Sequence, residues 1–150
     1  MRHVSPLTSH LGYWLRLVSN RVSTSFARRL AELDVGVAEW VLLRELYDRA
    51  DLSPSEIADA LGMTRGAISK LEDRLAARAL IVRTDDAADR RSHRLGLSAE
   101  GRLLVPRLAA LADANDEEFF GDLDEATRDE LLRALRVLAE IHQLTQHPLA

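Results

Sequence analysis

At 150 residues, 47% of them hydrophobic, the chain is long enough for one compact domain or for a domain with an oligomerisation element, and too apolar to be disordered. It contains no cysteine, which excludes disulfides, thiolate metal sites and cysteine-based redox sensing, and no stretch approaches the roughly 20 apolar residues of a membrane span. A net charge of −4 argues against nucleic acid as a partner until its distribution is considered: residues 64–94 hold 8 Lys or Arg against 5 acids, whereas residues 99–150 hold 5 Arg against 11 acids.

Residues 7–30 place Leu11, Leu15, Val18, Val22, Phe26 and Leu30 at spacings of three and four, which predicts one long amphipathic helix. Arg16 interrupts its apolar run, so it reads as neither a leader nor a membrane span, and a cytoplasmic protein is expected. The segment Leu33 to Val37 breaks the helix. A second helix, from Ala38 to about Arg49, carries Trp40, Val41, Leu43, Leu46 and Tyr47 on more than one side, as a core helix does. Ser53 opens a third: its hydroxyl can cap, Pro54 suits the first helical position, and Glu56 sits three residues after the cap to close a capping box. Ile57, Ala58 and Leu61 share one side of this short helix, and Gly62 stands where a left-handed residue turns the chain out of it.

Thr64 caps a fourth helix, Arg65 to about Arg78, in which Ile68, Leu71 and Leu75 face inward. At about 100° per residue, Gly66, Ser69, Lys70 and Asp73 point outward, with Arg65 and Arg74 on the flanks. Small and hydroxyl side chains permit close approach to a surface, and the cations can reach phosphates or the acceptor edge of guanine. Asp73 would repel phosphate, and pairing with a neighbouring arginine is favoured over accepting from cytosine. Two helices joined by about three residues that include Gly, the second with such a face, form a helix-turn-helix pattern. Its expected DNA contacts are Ser53, Ser55, Thr64, Arg65, Gly66, Ser69, Lys70 and Arg74.

Leu80 to Arg83 and Arg94 to Ser98 each read as a strand, and between them Thr84 to His93 is a charged loop holding Asp85, Asp86, Asp89, Arg90 and Arg91. A hairpin with a charged tip is a wing. Ser98 then caps a helix from Ala99 toward Phe120 with Leu104, Leu108, Leu111 and Asn115 on one stripe, and Pro106 inside it predicts a kink. Gly121 and Asp124 mark a turn and a new cap, and Glu125 to about Gln143 forms a last helix with Leu131, Leu135, Leu138 and His142 in line. The acidic run Asp113, Asp116, Glu117 and Glu118 lacks a histidine in register and reads as a solvated face, not a metal site.

The fold class is therefore mainly α: a winged helix-turn-helix with a two-stranded wing, flanked by long N- and C-terminal dimerisation helices. One compact chain divides into an N-terminal dimerisation helix (1–34), the winged helix-turn-helix (35–98) and C-terminal dimerisation helices (99–150). The outer helices carry more apolar surface than the central unit can cover, so a homodimer is expected. Two-fold symmetry would set two recognition helices about 34–36 Å apart, matching a palindromic site on double-stranded DNA.

The segment Asp89-Arg90-Arg91-Ser92-His93-Arg94-Leu95-Gly96-Leu97-Ser98-Ala99-Glu100-Gly101, together with the preceding helix pair and the long outer helices, resembles the MarR family of winged-helix transcriptional regulators. The resemblance covers nearly the whole chain. It implies that Asp89 and Arg91 hold the aspartate and arginine of the family's Asp-x-Arg signature, the aspartate steadying the wing while an arginine enters the minor groove. A narrow minor groove attracts arginine electrostatically, and Arg90 with Arg91 is read as a DNA contact ahead of a merely solvated pair. It also implies a homodimer joined through both ends of the chain and a cleft, flanked by His10, Tyr13, Trp14 and Trp40, where small aromatic acids bind. Packing explains each of those side chains as well, so His10, Trp14 and Trp40 are candidate effector contacts only.

The expected function is a dimeric, sequence-specific DNA-binding transcriptional regulator, a repressor released by a small phenolic or lipophilic effector. A constitutive DNA-binding module, or a protein-interaction winged helix without a ligand, is the alternative. No nucleophile elbow, P-loop, dinucleotide fingerprint or metal-ligand spacing occurs in the sequence, so neither an enzyme nor a cofactor is expected.

Overall fold

The computed structural model describes residues 3–89 and 91–149. Among these, six α-helices and one hairpin follow in the order α1 (Leu11–Ala31), α2 (Val37–Asp48), α3 (Pro54–Leu61), α4 (Arg65–Ala77), β1 (Ile81–Asp85), β2 (His93–Leu97), α5 (Ala99–Phe120) and α6 (Glu125–Ile141). This is the mainly helical winged-helix architecture that the sequence predicts.

The boundaries that moved did so for local reasons. The helix expected over 7–30 starts at Leu11, because Leu7–Ser9 forms a short 3-10 turn and His10 is extended (φ −94°, ψ 125°). Ser9 Oγ donates to Pro6 O at 2.7 Å, a side-chain bond that competes with continuing the helix. Leu80, expected to open the first strand, instead completes the exit from α4, its N–H donating to Leu75 O at 3.0 Å. The strands consequently run Ile81–Asp85 against His93–Leu97, antiparallel, with Arg83 opposite Leu95, and the connecting loop shortens to residues 86–92. Leu52 adds a one-residue bridge on the other edge of β2: its N–H donates to Leu95 O at 3.1 Å and its carbonyl accepts from Leu95 N at 2.8 Å.

The predicted caps form. Ser53 and Glu56 make a reciprocal capping box, Thr64 accepts from Ala67 N, Ser98 from Gly101 N and Asp124 from Thr127 N. Gly62 adopts φ 64°, the left-handed conformation that L side chains resist, between α3 and α4. Gly101, in the first turn of α5, passes so close to the Leu80 carbonyl that a β-carbon there would stand 2.1 Å from its oxygen. α5 continues in one piece through Pro106. The predicted last helix ends two residues early, at Ile141, where Leu144 N–H bonds back to Ala139 O at 2.9 Å and Gln143 takes φ 53°.

Leu42, Leu43 and Leu46 of α2, Ile57 and Leu61 of α3, Ile68 and Leu75 of α4, Leu95 of β2 and Leu108 of α5 close one hydrophobic core. That core holds the helix-turn-helix and the wing on one block. The outer helices contribute little to it. Within the single chain α1 buries only Leu30 and α6 buries nothing, leaving Leu11, Leu15, Leu17 and Val18 and the α6 row Leu131, Leu135 and Leu138 exposed.

Candidate nucleic-acid interface

The outward face of α4 is the one the sequence predicts. Ile68, Leu71 and Leu75 are buried, while Thr64, Arg65, Gly66, Ser69, Lys70, Asp73 and Arg74 are exposed. At the start of the helix, Arg65 Nη1 donates to Ser55 Oγ at 3.1 Å, so one side chain from α3 and one from α4 form a joint polar edge. Ser53 Oγ accepts from Glu56 N at 3.1 Å as a cap, which leaves its hydroxyl proton for an outside acceptor. Arg74 Nη2 lies 3.6 Å from the buried Glu39 carboxylate at the start of α2, so of the flanking cations it is partly engaged within the protein. Asp73 takes the pairing role: its Oδ1 accepts from Arg83 Nη2 of β1 at 2.7 Å.

The wing loop is shaped by aspartates. Asp89 Oδ1 accepts from Arg91 N at 3.0 Å and Asp89 O from Ser92 N at 3.1 Å, while Asp86 Oδ1 accepts from Ala88 N at 2.9 Å. These two side-chain bonds and one backbone bond hold a turn that presents Arg91, itself exposed, at the tip. Arg90 lies outside the described residues.

Two residues organise the interface that the sequence reading did not single out. Arg94 of β2 reaches Asp51 (Nε to Oδ2, 3.0 Å; Nη2 to the backbone oxygen, 2.9 Å), Glu56 at 3.6 Å and Asp86 at 3.9 Å, tying the wing to the start of α3. The hydrogen bond to Asp51, helped by the charges of Glu56 and Asp86, holds its guanidinium pKa above the ordinary value. Glu56 is held below the ordinary carboxylate value chiefly by the Ser53 backbone N–H, with Arg94 and Arg49 adding to it. Glu72 is the second. Only 3% exposed on the inner side of α4, it meets His93 Nε2 at 2.8 Å and Arg83 Nε at 3.4 Å. Its place four residues after Ile68 and three before Leu75 marks it as inward-facing, but a partner on another element leaves no local signal.

The three candidate effector residues do not come together within one chain. His10 and Trp14 lie at the exposed start of α1, where Trp14 Nε1 donates to Thr8 O at 2.9 Å and the ring meets Tyr13 edge-on at 5.2 Å. Trp40 packs edge-on against Phe26, with ring centroids 6.3 Å apart, about 18 Å further along α1 at 1.5 Å per residue. Phe26 and Trp40 border an open cavity of about 550 Å³, with Ser23, Thr24, Val41 and the tail residue Leu149 on its rim. The acidic run on α5 is a surface network: Glu118 pairs with Arg29, and Glu117 lies 3.7 Å from Arg128. Among the described residues no group of His, Asp and Glu suits a metal ion, and no helix is long and apolar enough to cross a membrane.

Residues 33–92 match the sequence profile of the MarR family. The HTH-type transcriptional regulator PrsX of Escherichia coli is 30% identical over 128 residues, 83% of this chain and 75% of that protein. Among solved structures, the transcriptional repressor CouR bound to a 23-mer DNA duplex is similar at a TM-score of 0.79 and 31% identity, over 93% of this chain and 99% of that one. BpsR of Bordetella bronchiseptica, whose DNA binding is regulated by 6-hydroxynicotinic acid, is similar at a TM-score of 0.77 and 26% identity, over 91% and 98% of the two chains.

Proposed function

This chain belongs to the MarR family of DNA-binding transcriptional regulators, and we propose that it is a homodimeric, cytoplasmic repressor that a small phenolic or lipophilic effector releases from a palindromic operator. The observation that carries the DNA reading is the join, through Asp73 and Arg83, between the polar, basic outer face of α4 and a wing whose loop exposes Arg91. In this reading Lys70 and Arg65 contact phosphate or guanine, and Gly66 and Ser69 permit close approach. Ser53, Ser55 and Thr64 supply hydroxyl donors to the backbone. Arg91 enters the flanking minor groove while Asp89 fixes the turn beneath it, and Arg90 is read as a second groove contact.

Repression is supported by the similarity to CouR, a repressor bound to DNA, and an aromatic acid effector by the similarity to BpsR. The cavity beside Phe26 and Trp40 offers such a ligand aromatic walls and the Ser23 and Thr24 hydroxyls. An effector seated between α1 and α2 would favour one spacing of the two DNA-reading units over another, and so shift the population away from the DNA-bound form. Trp40 borders this cavity, whereas His10 and Trp14 stand at the exposed start of α1, away from it.

A DNA titration at two salt concentrations, with a fragment from the protein's own upstream region, tests the reading. Tight, steeply salt-dependent binding is expected. Lys70→Ala should lower the salt slope by about two, one for each protomer, and Arg91→Ala should weaken operator binding about tenfold. Hydroxylated aromatic acids added to the same assay should release the DNA. Binding no tighter than to random DNA at low salt would overturn the reading in favour of a winged helix that docks a protein partner.

A further inference from the structure

Glu72 is a charged residue buried in the DNA-reading unit, and neither its own helix nor the core requires it. It sits on α4 among Ile68, Leu71 and Leu75, positions that a leucine or methionine would fill. Its carboxylate instead spans both strands of the wing, reaching His93 Nε2 on β2 at 2.8 Å and Arg83 Nε on β1 at 3.4 Å. Arg83 continues outward to Asp73 at 2.7 Å, so one chain of contacts runs from the inside of α4, through Arg83 of β1, to its DNA-facing side, and His93 of β2 is a second branch from the same carboxylate. The hairpin is held on its other edge at its middle rungs, where Leu95, opposite Arg83, pairs with Leu52 and Arg94, opposite Thr84, meets Asp51 and Glu56; on the α4 side Glu72 holds it one rung nearer the loop. His93 faces Asp85 at the last rung before the loop, so Glu72 takes hold of the wing at the level where Arg91 emerges.

Resting on the DNA reading above, we infer that Glu72 is the positioning residue that sets the angle of the wing against the recognition helix, so that base reading by α4 and minor-groove contact by Arg91 occur on one register of DNA. Its role is specificity of geometry, not stability. Removing one member of an ion pair is costly when it strands the other in the interior, and here it does not. His93 and Arg83, each more than a third exposed, can turn to water once the carboxylate is gone.

The test is a double-mutant cycle on operator DNA with Glu72→Met and Arg91→Ala, in the full-length protein. Glu72→Met should retain the thermal midpoint within a few degrees and weaken operator binding about tenfold. In that background Arg91→Ala should cost less than twofold, against about tenfold in the native background, because the wing no longer delivers the arginine. The salt slope of Glu72→Met should likewise match that of Arg91→Ala. An equal cost of Arg91→Ala in both backgrounds overturns the inference and leaves the DNA reading intact, whereas no cost in the native background overturns the wing reading itself. If Glu72→Met melts early, Glu72→Gln removes the charge that holds both strands while keeping the side chain's volume and its capacity to hydrogen-bond. The same loss of coupling is then required.

Discussion

The carboxylate of Glu56 accepts from the Ser53 backbone N–H at 2.8 Å and stands 3.6 Å from Arg94 and 3.9 Å from Arg49. All three contacts favour its charged form, so its folded pKa lies below the ordinary 4.5; Asp124, capping α6, is likewise held below 3.8, first by its side-chain bond with Thr127. A depressed carboxylate pKa adds stability that is complete above the ordinary value and is lost as pH falls through the folded one. Urea unfolding midpoints should therefore hold steady from pH 8 to about 5.5 and decline below about pH 4.5. Glu56→Gln should start lower at pH 7 and decline less steeply. A parallel decline in the two proteins would show that the charge on Glu56 contributes nothing to acid sensitivity. The cap itself is legible in the sequence because every partner lies within three residues. Arg94 and Glu72 are not, because a cation after a loop and an acid inside an apolar stripe acquire their meaning only from elements that folding brings to them.

Helices and strands were legible in the same proportion as their signals are local. Ser53, Thr64, Ser98 and Asp124 cap where expected, and Gly62 turns as expected, because a side-chain oxygen or a missing β-carbon acts within one turn. Ends set by competition moved: α1 lost its first turn to the Ser9–Pro6 bond, and Leu80 went to the exit of α4 instead of the strand. The pairing of Leu52 with Leu95 joins residues more than forty positions apart and had no local signal at all. α5 poses a different question, since Pro106 leaves the Arg102 carbonyl without its i+4 donor and crowds it, at a cost of about 3 kcal/mol. Pro106 is exposed, so an alanine there would give up no core packing. Pro106→Ala should accordingly raise stability by up to about 3 kcal/mol in chemical denaturation while leaving operator affinity unchanged. A lower stability would mean that the proline shapes α5 for a contact it makes with another element or protomer.

At the scale of the whole molecule, one block carries the core and two long helices are left half-used. α6 aligns Leu131, Leu135 and Leu138 on an exposed row, and the first half of α1 exposes Leu11, Trp14, Leu15, Leu17 and Val18. Apolar surface of this extent at both ends of a chain is what a second copy would cover, and the dimer proposed above uses both helices. The proposed operator binding depends on it doubly, because two half-sites one helical turn apart need two linked recognition helices and because each half-site alone is held weakly. Leu135→Glu puts a carboxylate in the centre of the α6 row without touching the core block. Sedimentation should show the native protein as a dimer and Leu135→Glu as largely monomer, with α2, α3, α4 and the wing still folded by circular dichroism. Operator affinity should fall by more than tenfold, and affinity for a single half-site should not change. A Leu135→Glu protein that stays dimeric would move the interface off α6, and the exposed start of α1 would then have to carry the association alone.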